Sequence, residues 1–116
     1  MTRPLRAEIS LSALQHNLQQ ARNAAPSSKV IAVIKANGYG HDMQIVAHAL
    51  NSADAFAVAS IEEAINLREA GVHQPIILLE GFFDVDDLLL LQAYSLQPVI
   101  HSMHQIEMLE AASLTY

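Results

Sequence analysis

A lysine followed by a glycine-containing turn is the part of this chain best suited to chemistry. Lys35 stands at the end of the apolar run 30–34, and the turn behind it carries Gly38 and Gly40. Apolar surroundings disfavour an ammonium, so they favour the neutral amine that attacks a carbonyl carbon. The glycines let the backbone approach a ligand closely, and a helix starting near Asp42 would aim free N–H groups at an anion. Together these features suit a phosphorylated aldehyde.

The elements that position this lysine follow from the apolar pattern. Run 30–34 is continuous and mostly β-branched, which predicts a strand buried on both faces, as in parallel sheets with helices outside. Further strands are predicted at 5–9, 55–59, 76–79 and 98–100, and helices at 12–25, 42–50, 60–71, 84–92 and 102–112. Alternation of this kind predicts an α/β fold with a parallel sheet, but it does not distinguish a barrel from an open sheet.

Polar residues at the predicted helix starts support this assignment. Ser60 with Glu63, and Ser102 with Gln105, have the spacing of a capping box. Ser12 with Gln15 has the same spacing, and Pro26 would stop the helix that follows. From residue 30 onward the pattern therefore predicts four successive βα units, after a short first strand and helix.

The stretch 32–41, Ala-Val-Ile-Lys-Ala-Asn-Gly-Tyr-Gly-His, resembles the pyridoxal-phosphate signature of the alanine racemases. Similarity to the bacterial biosynthetic members extends to segment 6–9 with Asn17, and to segment 78–83. One difference is Asp42, where many members have glycine. The resemblance implies a PLP-binding (β/α)8 TIM-type barrel, of which the four predicted units form the N-terminal half.

The resemblance also implies roles for two residues. Lys35 would form the internal aldimine with pyridoxal 5′-phosphate (PLP) and serve as one of two catalytic bases, and Tyr39 would contact the cofactor phosphate. In the family the second base is a tyrosine of a β-rich second domain, donated across a homodimer interface. Tyr94 and Tyr116 match no family position. We therefore expect residues 1–116 to form only the N-terminal part of the barrel domain, without the rest of the barrel or the β domain.

The activity that the resemblance implies is interconversion of L- and D-alanine by two-base proton transfer, supplying D-alanine for peptidoglycan. We expect the 116-residue chain to be inactive alone. Two alternatives stay open within PLP proteins, a racemase of broader specificity and a barrel protein without racemase activity. An alternative of another class is a stand-alone binding or interaction module. Pocket residues and coding sequence beyond residue 116 would separate these possibilities.

Composition limits the partners. The net charge is −6 with only six lysines and arginines, so the chain has no basic stripe for nucleic acid or an anionic membrane. It has no cysteine, which excludes disulfides and thiolate metal sites. No apolar run approaches the roughly 18 residues that span a bilayer, and the first residues lack the apolar core of a signal peptide. We expect a cytoplasmic protein that acts on a small molecule.

Other chemistry-bearing side chains favour structural explanations. His101 and His104 would share a helix face, but no third ligand converges with them, so no metal site is predicted. His41 has two interpretations, a role in the site or a local hydrogen bond that shapes the turn. Acidic residues at predicted helix starts suit the helix dipole: Glu62, Glu63, Asp84, Asp86 and Asp87.

Overall fold

The computed structural model describes residues 3–115, which form one parallel sheet connected by helices. Within that range the strands are β1 Ile31–Val33, β2 Ala55–Val58, β3 Ile76–Leu78 and β4 Leu96–Pro98. The helices are α1 Leu11–Ala24, α2 Lys35–Tyr39, α3 Met43–Ala49, α4 Ile61–Glu69, α5 Asp87–Ala93 and α6 Met103–Ala112. None of the described helices combines the length and the apolar character needed to cross a bilayer.

The strand order distinguishes between the two kinds of parallel sheet. Each strand pairs in parallel with the next one along the chain, giving the order β1-β2-β3-β4. A doubly wound open sheet reverses its order at a switch point, whereas a barrel adds strands consecutively. The observed order is that of four consecutive barrel strands, and it confirms the predicted α/β class.

The apolar core lies between the sheet and the helices. Phe56 pairs with Ile76, and Ile76 pairs with Leu96, so these side chains form one row on the helix-covered face. All three are completely buried, as are Leu67 of α4 and Leu91 of α5. Each such side chain contributes about 1.5–3 kcal/mol when it is removed from water. This face accordingly fixes the strands whose ends carry the candidate site.

The opposite face of the sheet is only partly covered, which corrects the prediction for the lysine strand. Ile31 is 51% exposed and Val33 is 41% exposed, although run 30–34 was expected to be buried on both faces. Local apolar pattern cannot report what lies opposite a strand, and β1 is an edge strand in the described sheet. The dimensions of the described chain also fit a sheet with one open face, since its radius of gyration is 16.4 Å. A compact chain of similar length has about 13 Å.

Three predicted elements are wrong or displaced. Segment 5–9 is not a strand, because none of the described strands pairs with it, and Leu5 is exposed. Helix α1 is capped by Ser10, whose hydroxyl accepts from Ala13 N–H, and not by Ser12. Strand β4 begins at Leu96, two residues before the predicted 98–100, because its register is set by pairing with β3.

The remaining helix signals are confirmed. Helix α1 ends at Ala24, ahead of Pro26, and both later capping boxes are present. At the end of α4, Gly71 has a φ of +89°, which a glycine adopts without steric cost. These polar signals act within a few residues, so the sequence predicts them well.

Candidate active site

Lys35 lies two positions after the end of β1, at the carboxyl end of the parallel strands. The N–H of Ile34 donates to the carbonyl of Ala57 at 2.9 Å, and the Ile34 side chain is only 2% exposed, so the residue before the lysine is firmly held. Lys35 itself is half-buried, and in the described chain its ammonium has no hydrogen-bond or ion-pair partner. Ligands of parallel α/β proteins bind at this edge, so an unpaired amine here is available to a ligand.

The turn after Lys35 is left-handed, where the sequence predicted only a tight glycine turn. Ala36, Asn37 and Gly38 have φ/ψ values of 53/50°, 54/43° and 66/37°, and Tyr39 has a φ of 55°. This conformation costs about 1–2 kcal/mol for each non-glycine residue. Asparagine tolerates it comparatively well, but alanine and tyrosine do not. Such residues persist only where the surrounding structure imposes the conformation, and they cluster at functional sites.

Hydrogen bonds and close packing impose this conformation. Gly38 N–H donates to the carbonyl of Ile34 at 2.8 Å, and the Asn37 side-chain oxygen accepts from Met43 N–H at 2.9 Å. Gly38 is buried, and a Cβ at this position would stand 3.2 Å from Val46 Cγ2. The glycine is thus needed both for its positive φ and for its contact with α3.

Glu63 ties the turn to the next βα unit. One carboxylate oxygen, Oε1, accepts from Ala59 N–H at 2.9 Å and from Ser60 N–H at 3.3 Å, which completes the capping box of α4. The other oxygen, Oε2, accepts from Ala36 N–H at 2.7 Å. The sequence identified Glu63 only as a capping residue, because its contact with Ala36 joins residues 27 positions apart and has no local signal.

Tyr39 and His41 lie further along the turn. Tyr39 is 59% exposed, and its hydroxyl has no partner in the part of the chain that the structure describes. The Nδ1 of His41 lies 3.1 Å from the carbonyl oxygen of Tyr39, and it donates to that oxygen in the tautomer that carries its proton there. Of the two interpretations of His41, the structure shows the local hydrogen bond that shapes the turn.

The start of helix α3 is not the anion site that the sequence suggested. The Asp42 carboxylate accepts from Ile45 N–H at 3.3 Å, and Asn37 occupies Met43 N–H. A carboxylate at the N-cap also repels a second anion. Two of the amides at the start of α3 are therefore already satisfied by side chains of this chain.

The start of β1 is held in place by the half-buried carboxylate of Asp54. Asp54 accepts from Val30 N–H at 2.6 Å and from Arg22 at 3.2 Å, so it joins the start of the lysine strand to α1. The hydrogen bond from Val30 holds the pKa of the Asp54 carboxyl below its ordinary value, with partial burial opposing and Arg22 assisting. Both ends of the strand before Lys35 are thus fixed.

The other candidate groups are bonded within the fold. The Nε2 of His101 contacts the Leu79 carbonyl at 3.0 Å, while His104 is exposed. Asp84 and Asp87 accept backbone N–H groups at the start of α5, which confirms their capping role. Within residues 3–115 no three His, Asp or Glu side chains converge where a metal ion could bind. Tyr116 lies outside the described residues.

Comparison with known families gives one consistent result. The family described as "Alanine racemase, N-terminal domain" matches residues 9–115. An alanine racemase of Vibrio parahaemolyticus is 55% identical over 109 residues, which are 94% of this chain and 30% of that protein. The chain therefore spans about 30% of the length of the curated relatives it matches.

Solved structures agree with the sequence comparison. The structure of alanine racemase from Acinetobacter baumannii superposes with a TM-score of 0.86 at 39% identity, over 89% of this chain and 31% of that one. The biosynthetic alanine racemase from Pseudomonas aeruginosa gives a TM-score of 0.84 at 42% identity, over 90% of this chain and 29% of that one. The four-stranded sheet corresponds to the N-terminal half of the TIM-type barrel in these proteins.

Proposed function

We propose that this chain provides the cofactor-bearing lysine of an alanine racemase, because it belongs to the family of the alanine racemase N-terminal domain. In the intact protein it would serve the interconversion of L- and D-alanine, which supplies D-alanine for peptidoglycan. Residues 1–116 would then form the first part of the PLP-binding barrel domain, and the rest of the barrel and a β-rich domain would complete the enzyme. The curated relatives, which are named alanine racemases, support this proposal.

The residues present fit PLP. Lys35 is a half-buried residue that offers an amine, and Tyr39 is an exposed residue that offers a hydroxyl. Neither group has a partner within residues 3–115. The other polar side chains of the turn are bonded to the backbone, so they stiffen it without competing for the cofactor. The single observation that carries the proposal is the unpaired Lys35 amine on a rigid left-handed turn. In this arrangement Lys35 would hold the cofactor covalently and Tyr39 would bind its phosphate.

PLP, when bound, withdraws electrons from the substrate and makes the hydrogen on its Cα acidic. The backbone of Lys35 is held in one position at the carboxyl end of the sheet. Its amine could therefore take a proton from, or return it to, only one face of the substrate Cα. Tyr39 would hold the phosphate end and so keep the substrate in reach of that amine. Inversion also needs a base on the opposite face.

We assign that second base to a tyrosine outside this chain, as the resemblance implies. In the intact protein it comes from the β-rich domain of a partner subunit, which makes the enzyme a homodimer. The net charge of −6 disfavours binding to nucleic acid, so we propose a small-molecule substrate. We place the enzyme in the cytoplasm, where D-alanine enters peptidoglycan precursors.

Covalent labelling tests the cofactor assignment. Borohydride reduction of the intact protein with PLP, followed by proteolysis and mass spectrometry, should place the pyridoxyl group on Lys35. The chain has one other lysine, Lys29, which serves as an internal control because it precedes β1 at the opposite end of the strand. Label on Lys29, or no label with excess PLP, would contradict the proposal.

A further inference from the structure

Glu63 has a contact that helix capping does not require. A capping box needs the N3 side chain to reach only the backbone at the helix start, and Glu63 does this through Oε1. Its second oxygen, Oε2, extends to Ala36 N–H at 2.7 Å, across to the loop that follows β1. We propose that Glu63 is a positioning residue for Lys35, an inference that rests on the proposed function.

The mechanical link runs through one peptide group. Ala36 N–H belongs to the peptide plane whose carbonyl comes from Lys35, and that plane is rigid. Fixing the direction of this N–H therefore fixes the backbone next to the Lys35 Cα. No ion pair joins Glu63 to Lys35 in the described part of the chain, so the effect is transmitted through the backbone and not through direct attraction of the two charges.

The hydrogen bond also holds a strained residue in place. Ala36 has φ/ψ of 53/50°, a conformation that alanine adopts only when its surroundings impose it. Gly38 N–H and Asn37 hold the later part of the turn, but Glu63 is the side chain that binds its first amide. Losing this contact would let Ala36 relax toward ordinary backbone angles and would move the lysine with it.

A second capping box in the same chain shows that the N3 residue type matches the backbone group it contacts in the neighbouring loop. In α6, Gln105 Oε1 accepts from His101 N–H and Ser102 N–H, as Glu63 Oε1 does in α4. Gln105 Nε2 then donates to the Phe82 carbonyl at 3.1 Å, in the loop that follows β3. Each N3 side chain thus reaches the loop that follows the neighbouring strand earlier in the chain: the loop after β1 for Glu63, and the loop after β3 for Gln105. It is glutamate where that loop offers an N–H, and glutamine where it offers a carbonyl.

This comparison supplies a substitution that separates the two roles. In Glu63→Gln the amide oxygen can still accept from Ala59 and Ser60, so the capping box is kept. The amide NH2 would then face Ala36 N–H, and two donors cannot form a hydrogen bond. Glu63→Gln therefore breaks the link to the lysine turn while leaving the helix start satisfied.

The experiment uses the intact protein. Glu63→Gln should speed amide hydrogen exchange at Ala36 about tenfold, the effect of one lost charge-assisted hydrogen bond. In the PLP-free protein it should also change the rate at which an acylating reagent modifies Lys35 relative to Lys29. With PLP, kcat should fall about tenfold while KM for alanine stays the same, since substrate contacts are untouched.

Gln105→Glu is the matched control. It keeps the α6 capping box and places a carboxylate oxygen against the Phe82 carbonyl, so it imposes a similar mismatch elsewhere in the sheet. Gln105→Glu and Glu63→Gln should lower the thermal unfolding midpoint by similar amounts. Gln105→Glu should not change amide exchange at Ala36 or the ratio of Lys35 to Lys29 acylation rates. If Glu63→Gln fails to fold, Glu63→Asp, which is too short to reach Ala36 from α4, provides the same three measurements.

The outcomes are distinct. Unchanged Ala36 exchange and unchanged Lys35 acylation in Glu63→Gln would overturn the positioning role, as would equal changes in Gln105→Glu. Failure of PLP to label Lys35 in the unaltered protein would instead overturn the proposed function. The exchange and acylation measurements need no cofactor, so they test Glu63 in either case.

Discussion

Lys35 and Tyr39 differ from the other polar residues of their turn in having no side-chain hydrogen-bond or ion-pair partner within residues 3–115. Asn37 binds Met43 N–H, and His41 contacts the Tyr39 carbonyl. A binding site must leave its ligand-binding groups unpaired while everything around them is fixed. Substituting an unpaired side chain should therefore affect the ligand, whereas substituting a paired one should affect the turn.

Tyr39→Phe removes a hydroxyl that we propose binds the cofactor phosphate. PLP binding by the intact protein should weaken by about 1–3 kcal/mol, the range for losing a hydrogen bond to a charged group. The change should be measured as the dissociation constant for PLP by absorbance titration. Tyr94→Phe is the control, because Tyr94 packs against the core and lies away from the turn. Equal affinities in Tyr39→Phe and the unaltered protein would show that Tyr39 is misassigned.

Among the helices and strands, those with local polar signals could be predicted best. The capping boxes of α4 and α6 were correct because each is complete within four residues. The start of α1 was displaced because Ser10 and Ser12 both suit an N-cap, and Leu11 extends the helix by a position. The exposure of Ile31 and Val33 was missed because it depends on what faces the sheet, not on the strand itself.

The site was predictable only in part for the same reason. The position of Lys35 at a strand end followed from the apolar run before it. The left-handed conformation of Ala36 could not be predicted, because alanine has no preference for it and is held there by a residue 27 positions away. The contacts that occupy the start of α3 were also unforeseen, since Asn37 reads as an ordinary turn residue.

The junction of α1 with β1 should depend on pH through Asp54. Its folded pKa lies below the ordinary 3.8, so its charge stabilises the fold fully above that value and ceases to do so as the pH falls through the folded pKa. Asp54→Asn should therefore lower the thermal unfolding midpoint at neutral pH, and the difference from the unaltered protein should shrink as the pH is lowered below about 4.

The control for this prediction is Asp86→Asn, because the Asp86 side chain makes no capping hydrogen bond. It should shift the midpoint little at either pH. A destabilisation by Asp54→Asn that is as large in acid as at neutral pH would show that its shape, and not its charge, is what matters.

The whole described chain is a flat layer, with extents of 53 × 45 × 24 Å. Helices cover one face of the sheet, while Ile31 and Val33 are exposed on the other. Strands β1 and β4 are edges in the described sheet. Such edges and apolar surface are sites of association unless other parts of the protein cover them. We propose that the remainder of the barrel does so in the intact enzyme.

Residues 1–116 purified alone should therefore be inactive and should bind hydrophobic dyes more strongly than the intact protein does. The assay is conversion of L-alanine to D-alanine with added PLP, compared with the same chain carrying Lys35→Ala. We expect no difference between the two, because the proposed function assigns the second base and most cofactor contacts to parts of the protein outside residues 1–116. Turnover that disappears with Lys35→Ala would show that both bases lie within these residues.

The reach of Glu63 back to Ala36 has a consequence for the order in which the protein is made. On the ribosome Ala36 emerges 27 residues before Glu63, whose carboxylate accepts its N–H. Until α4 has formed, the left-handed turn has no partner for its first amide, and Ala36 is free to adopt ordinary angles. Lys35 thus acquires its final orientation only after the following βα unit has folded. Nascent chains arrested before residue 63 should leave that lysine in an immature arrangement, even with β1 and α3 already synthesised.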